Sequence, residues 1–308
     1  MERIRYKVLV CDSFAEKGIE KLSSIFDVTY SPKITSQELL STIHDYDVII
    51  VRGRTKITKE VIEKGENLKI VGRAGIGLDN IDLRSAESRG IKVFNTPESS
   101  TNAVAELTIG LMIDLARGIS RGDAGMKQGR WLKDELMGSE LKGRTLGVVG
   151  MGRIGTRVAK MAKTFGMKVL VSDIIELDKG LLEDLGAKEV PLDDLLSSSD
   201  FVTLHVTLTD ETHHMINEQI LGKMKKGAYI INTSRGTVID ERALTKALKN
   251  GWIKGAALDV FEVEPPGPSE LVELPNVIAT PHIGAQTKES QELAAMLLVD
   301  KIAGALLS

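Results

Sequence analysis

Apolar positions along this chain fall in two alternating rhythms. Short apolar runs at Lys7–Val10, Asp27–Tyr30, Val48–Val51, Lys69–Val71 and Lys92–Phe94 read as strands. Between them, Ala15–Ile25, Ser36–Ile43, Lys59–Lys64 and Asp79–Arg89 place apolar residues at helical spacing. Alternation of this kind predicts a parallel sheet with helices on both faces. Thr96-Pro97 interrupts it, and Ser99-Ser100-Thr101-Asn102 then precedes Ala103–Leu115, small and apolar, which predicts an N-capped, buried helix opening a second domain. Gly118 to Gly138 is polar, with Trp131 between Arg130 and Lys133. Such a Trp serves equally as a subunit-interface anchor or a loop contact. Strand patterns resume at Leu146–Val149, Lys168–Ser172, Asp200–Val206, Gly227–Asn232, Ile253–Leu258 and Asn276–Thr280, with helical spacing at Arg153–Phe165 and Asp240–Lys249. Gln286–Leu306 reads as one amphipathic helix that returns to the first domain.

One junction carries special chemistry. The run ending at Val149 meets Gly150-Met-Gly152-Arg153-Ile154-Gly155, the pattern G-x-G-x-x-G on a strand-to-helix turn. Gly150 permits the tight turn, Gly152 lets the backbone approach a pyrophosphate, and Gly155 lets the helix pack close to the strand. The helix start at Arg153 and Ile154 offers N–H donors and a partial positive charge to that anion. Asp173 ends the next strand about 20 residues on, where a carboxylate accepts bonds from adenosine ribose hydroxyls. Ile174 and Ile175 follow it, with no arginine to receive a 2′-phosphate, so NAD is favoured over NADP. The predicted class is α/β, with two Rossmann-like doubly wound parallel-sheet domains. Residues 1–98 plus 286–308 form the first, discontinuous one, which binds substrate; residues 99–285 form the NAD-binding one.

Composition narrows the function classes. The 308 residues carry 40 basic and 43 acidic side chains and only 4% aromatics, which leaves no footprint for nucleic acid. Cys11 is the sole cysteine, so no internal disulfide forms, which fits a reducing, cytoplasmic setting. Neither a signal peptide nor a membrane span is expected, and the five histidines show no metal-ligand spacing; His213-His214 reads as a surface turn.

Three polar residues fall just after strands of the second domain. Arg235 presents a fork suited to a carboxylate, His282 passes a proton near neutrality, and Glu264 bonds the other ring nitrogen and fixes the tautomer. Each has an ordinary reading by itself: a helix-end charge, a core histidine, a solvated acid. Together, in the domain with the glycine turn, they point to one job. In the first domain, Arg52-Gly53-Arg54-Thr55 and Gly72-Arg73-Ala74-Gly75-Ile76-Gly77 follow strands. Their arginines and backbone N–H groups suit an anion, although solvated surface is the plain alternative for Arg52 and Arg54.

These stretches, with Asn232-Thr-Ser-Arg-Gly236, Asp259-Val-Phe-Glu-Val-Glu264-Pro265 and Pro281-His282-Ile-Gly, resemble the signatures of the D-isomer-specific 2-hydroxyacid dehydrogenases over the whole chain. Gly72–Asn80, the Arg52–Arg54 loop and Thr145-Leu-Gly-Val look most like the phosphoglycerate dehydrogenase branch. The resemblance implies that Arg235 binds the substrate carboxylate, that His282 is the acid–base group and that Glu264 is its partner. It implies nicotinamide contacts at Asp259 and Thr233, cofactor contacts at Val206 and Ile76, and substrate contacts at Arg52, Arg54, Arg73, Gly75 and Asn102. Val206-Thr207 departs from a Pro common in relatives, and the chain stops at Ser308, without the regulatory domain of many phosphoglycerate dehydrogenases. The implied activity is NAD-dependent oxidation of D-3-phosphoglycerate, the first step of serine biosynthesis, by a cytoplasmic homodimer or tetramer. The alternatives are a glyoxylate or hydroxypyruvate reductase, or an NADH-responsive corepressor-like binding protein.

Overall fold

The computed structural model describes residues 5–307. The chain divides into two compact units, one running to Thr101 and resuming at Ala285, the other spanning Asn102–Gly284. In the first, β1 (Lys7–Val10), β2 (Asp27–Tyr30), β3 (Val48–Val51), β4 (Ile70–Arg73) and β5 (Lys92–Asn95) form a parallel sheet in the order β2-β1-β3-β4-β5. Central β3 is buried throughout, because helices cover both faces, whereas the edge strand β2 stays largely exposed. One face packs on Leu39, Ile43 and Ile62, the other on Leu22 and the last helix, Lys288–Leu307. That helix buries Ala294, Ala295, Leu298, Val299 and Ile302, a stripe at helical spacing. Each of its larger side chains contributes about 1.5–3 kcal/mol of burial. Its amphipathicity is weaker than expected, since Leu293 and Leu307 stand exposed outside the stripe.

In the second unit, β6 (Thr145–Val149), β7 (Lys168–Ser172), β8 (Ala187–Glu189), β9 (Phe201–Leu204), β10 (Tyr229–Asn232), β11 (Gly255–Leu258) and β12 (Val277–Ala279) form a parallel sheet ordered β12-β11-β10-β9-β6-β7-β8. Strand order reverses between β6 and β9, and between β1 and β3 in the first unit. Ligands of doubly wound sheets gather outside the carboxyl ends of strands at such points. The core of β9, β10 and β11 is continuous and apolar, with Phe201 stacked on Tyr229 at 4.9 Å.

Several boundaries differ from the sequence reading. The helix expected from Asp79 begins at Leu83, because Asp82 caps it by accepting the Ser85 N–H. The strand expected to reach Val206 stops at Leu204, where β9 parts from β6. The helix read as Ala103–Leu115 runs Thr101–Arg117, so Asn102 lies in its first turn, exposed, rather than ahead of it. The polar segment Gly118–Gly138 contains a helix, Ile119–Lys127, and exposes Ile119, Met126, Trp131 and Met137. Among the described residues no helix is long and apolar enough to cross a membrane.

Candidate active site

The glycine turn sits at the switch point of the second sheet. Gly150 has φ +91°, and its Cα lies against the backbone of His205, where a Cβ would come within 2.7 Å of the carbonyl oxygen. Only glycine fits that conformation and that gap. A Cβ on Gly155 would fall 2.0 Å from the Gly150 carbonyl, so this glycine sets the helix close to the turn. Gly152, by contrast, faces open space. The helix Arg153–Thr164 then leaves its first N–H groups directed past Gly152, as an anion requires. Asp173 is half-buried and closes the turn. Its Oδ2 accepts the Met151 N–H at 2.6 Å, and Oδ1 accepts those of Ile174 and Ile175 at 2.7 and 3.2 Å. Oδ2 keeps acceptor capacity for a ribose hydroxyl. A glycine cradle, open helix N–H groups and a carboxylate at this spacing fit a dinucleotide.

His205 and Val206 follow β9 at the same point. Burial drives the His205 imidazole down to about 3, so the ring is neutral near pH 7, bonded to Thr203 Oγ1 at 3.0 Å.

The three candidate catalytic side chains follow three neighbouring strands, β10, β11 and β12. Buried Asn232 shapes the first loop. Its Oδ1 accepts the Ser234 N–H and hydroxyl at 3.0 and 2.7 Å, and its Nδ2 donates to the Arg235 carbonyl at 2.8 Å. Arg235 Nη1 donates to Ser234 O at 2.7 Å. Thr233 is buried and its hydroxyl meets Thr108 at 3.0 Å. In the second loop, the Phe261 N–H donates to Glu264 Oε1 at 3.1 Å, which fixes the carboxylate, and the Glu264–Pro265 bond is cis. In the third, His282 has φ +52°, an uncommon conformation for a residue with a Cβ, held by its N–H donating to Asp259 O at 2.9 Å. His282 Nδ1 and Glu264 Oε2 are 2.7 Å apart. With the proton on Nδ1, Nε2 is the acceptor of the neutral ring. Burial pushes the Glu264 carboxyl up, but the His282 hydrogen bond and charge, the Phe261 N–H and Arg235 outweigh it and hold the group below its ordinary value of 4.5. Such an arrangement is able to move a proton at Nε2 beside a guanidinium suited to an anion.

Asp259 turns out to be a structural anchor. It is 2% exposed; Oδ1 accepts Thr280 Oγ1 at 2.6 Å and the Ile283 N–H at 2.8 Å, while Oδ2 accepts the Gly284 N–H at 2.8 Å. The residue that the sequence reading assigned to the cofactor thus also builds the His282 loop.

The first unit revises two expectations. Arg54 is committed to the protein: Nη1 donates to Ile34 O, Nη2 to Cys11 O and Pro32 O, and Asp12 pairs with it at 3.1 Å. The Gly75 N–H donates to Thr96 Oγ1 at 2.9 Å and does not face an anion. Gly75 instead makes room for Arg73, whose Nη1 lies 2.0 Å from where a Cβ would stand. Arg52 keeps its side chain for other uses; burial lowers its pKa from the ordinary arginine value, against the pull of Asp12, and a guanidinium stays charged near neutrality. The Ile76 N–H has no acceptor among the described residues.

Sequence reasoning missed Asp12, the residue that builds this loop. Asp12 is 4% exposed and accepts the Arg52 N–H at 2.6 Å, the Thr55 N–H at 3.3 Å and the Thr55 hydroxyl at 2.6 Å. Its one signal was an acid just past a buried strand. Gly236, too, was quoted only as part of a motif. A Cβ there would lie 1.9 Å from the Phe261 carbonyl carbon, so the Arg235 and Glu264 loops touch because residue 236 has no side chain. His213 and His214 stack at 4.2 Å, and among the described residues no cluster of His, Cys, Asp or Glu is fit to hold a metal.

Comparison with known proteins places this geometry. Residues 109–284 match the NAD-binding domain of the D-isomer-specific 2-hydroxyacid dehydrogenases. A D-3-phosphoglycerate dehydrogenase of Methanocaldococcus jannaschii is 47% identical over 96% of this chain, which spans 56% of that protein. A hydroxypyruvate reductase of Thermotoga maritima is also 47% identical, over 97% of both chains. Among solved structures, a D-lactate dehydrogenase of Aquifex aeolicus complexed with NAD and lactic acid superposes with a TM-score of 0.85 at 33% identity, covering 98% of this chain and 95% of its own. A glycine cradle for NAD and a histidine–glutamate pair beside an arginine, found in a chain so closely related to these enzymes, make it a member of the D-isomer-specific 2-hydroxyacid dehydrogenase family.

Proposed function

We propose that the chain oxidises D-3-phosphoglycerate reversibly with NAD. The observation that carries the substrate choice is Arg52, a half-buried, charged side chain on a loop that Asp12 preshapes, suited to a second anionic group. Arg235 holds the substrate carboxylate, so that C2 and its hydroxyl are presented in one orientation. Neutral His282 takes the hydroxyl proton at Nε2, while ionised Glu264 bonds Nδ1 and stabilises the imidazolium that results. NAD, which the Gly150–Gly155 turn and Asp173 would hold, would supply the hydride acceptor for C2. In the reverse direction, protonated His282 returns the proton to the carbonyl oxygen. Arg73, the Ile76 N–H and Asn102 are further candidate contacts, and Arg54 acts through the loop it braces. A homodimer is the assembly we propose.

A second reading has its own support. The Thermotoga hydroxypyruvate reductase is as similar to this chain as the phosphoglycerate dehydrogenase, each being 47% identical. NADH production at alkaline pH, with D-3-phosphoglycerate against D-glycerate, D-lactate and glycolate, separates the two. A strong preference for the phosphorylated acid supports the first reading. Equal or better rates with D-glycerate assign the chain to hydroxypyruvate reduction and Arg52 to another task. Tight NADH binding without turnover of any acid defeats both and favours a cofactor-responsive binding protein. For the acid–base assignment, His282→Gln lowers kcat by about 10²–10⁴-fold with NADH binding intact.

A further inference from the structure

The loop that presents Glu264 is held from outside the catalytic set. The Glu241 N–H donates to Glu262 Oε1 at 3.1 Å, and the Glu262 N–H donates to Glu241 Oε1 at 2.8 Å. Each glutamate therefore accepts the backbone of the other, a reciprocal pair joining the start of the helix Glu241–Lys249 to the residue beside Phe261. His214 closes the group, its Nε2 2.9 Å from Glu262 Oε1. The His214 backbone is fixed in turn: φ is +49°, its N–H donates to Thr237 O at 2.7 Å, and Ile216 bridges to Ile239. Thr237 lies two residues past Arg235, and Phe261 donates its N–H to Glu264. The group thus touches the backbone of both catalytic loops without containing a residue that reaches the reacting atoms.

Two carboxylates side by side repel, which makes the arrangement costly unless it has a task. Burial and the Glu262 charge raise the Glu241 pKa, while the Glu262 N–H and His214 pull it back. A solvated acid pair has no reason to sit here. A clasp that must hold a loop in register does, since backbone N–H groups donate strongly to charged acceptors.

We propose that Glu241, Glu262 and His214 form a positioning clasp that sets residues 261–264 so that Glu264 meets His282 Nδ1. This rests on the dehydrogenase reading but not on any one substrate. Its first readout is the titration of the His282 ring followed by NMR, assigned with His282→Gln, which needs no turnover.

Glu241→Ala removes the acceptor of the Glu262 N–H. The His282 midpoint then moves to lower pH as Glu264 drifts from Nδ1, and kcat, measured with the 2-hydroxy acid the wild type oxidises fastest, falls about 10-fold with NADH affinity and KM within twofold. Glu241→Gln keeps an oxygen for the same N–H and restores most of the rate. His214→Gln, on the exposed side, falls between the two. A wild-type His282 titration in Glu241→Ala, or, should that variant fail to fold, in His214→Gln, overturns the proposal. So does a rate loss that Glu241→Gln shares in full. Absence of turnover by the wild type sinks the dehydrogenase reading, while the titration still decides the clasp.

Discussion

Replacing Gly236 by alanine separates catalysis from stability in a way the structure quantifies. A Cβ at this position would lie 1.9 Å from the Phe261 carbonyl carbon, 2.1 Å from its oxygen and 2.5 Å from the Glu262 nitrogen. Carbon atoms in contact settle near 3.5–4.0 Å, so one loop must retreat by roughly 1.5 Å. Overpacking of this kind costs about 1–3 kcal/mol. Against it, alanine restricts the unfolded chain and returns about 0.4–1 kcal/mol, because Gly236 is not among the glycines at positive φ. The net loss of stability is therefore about 1–2 kcal/mol, a modest fraction of a domain's total. Turnover suffers more. The retreating loop carries Glu264, or else Arg235, and a displacement of about 1 Å in a catalytic group costs on the order of 10²-fold, equivalent to about 2.7 kcal/mol of transition-state stabilisation. Urea unfolding, NADH fluorescence titration and steady-state kcat/KM on the same preparation measure the three quantities. The expected variant is folded, binds NADH normally and is about 100-fold slow. Turnover within threefold of wild type would refute the claim that close backbone packing of the two loops sets the catalytic geometry.

Other perturbations test other parts. Asp12→Asn turns a buried acceptor of several bonds into a partial donor facing Thr55 and Arg54; a loss of about 2–3 kcal/mol in urea unfolding is expected, discounted because Arg54 is half exposed, together with a raised KM for a phosphorylated substrate. A loss under about 0.5 kcal/mol contradicts the anchoring role. Burial pushes His205 down from 6.5 to about 3 in the folded chain, so the unfolded chain binds the proton first and the wild type loses stability as pH falls through that window. His205→Gln removes this slope, worth about 2 kcal/mol at pH 5 relative to pH 7, and urea midpoints at the two pH values read it directly. For Glu264 the folded pKa is lowered, so its contribution is fully present above 4.5 and fades as pH drops through the lower folded value. The stability gap between wild type and Glu264→Gln accordingly narrows below pH 4.5; a gap that widens there would contradict the pairing with His282.

Much of the second unit was legible because glycine and strand-end chemistry are local. The turn at Gly150–Gly155, the acid at Asp173 and the trio Arg235, Glu264 and His282 all announce themselves by residue type and by position just beyond an apolar run. Side-chain commitments are not local. Arg54 and Arg52 look alike in sequence, and only the carbonyls of Ile34, Pro32 and Cys11, from other elements, distinguish a braced arginine from an available one. Asp259 likewise reads only as a cofactor contact, and its second task shows when the Ile283 and Gly284 N–H groups converge on it from the next loop. The helix Ile119–Lys127 was hidden by its glycines and charges, which lower helical preference without preventing it.

Arg235, Glu264 and His282 hang from β10, β11 and β12, which lie side by side in one ladder of main-chain bonds. Their anchor points are thereby spaced by the roughly 4.8 Å pitch of a parallel sheet, and the loops set the final approach of the side chains. The arginine-bearing loop belongs to a different sheet, in the other compact unit. On the proposed function, reaction and substrate choice are therefore written in separable parts of the chain. Grafting a relative's residues 52–55 and 73–77 should retune preference while leaving the acid–base machinery as it stands, which makes this architecture a natural chassis for new dehydrogenases.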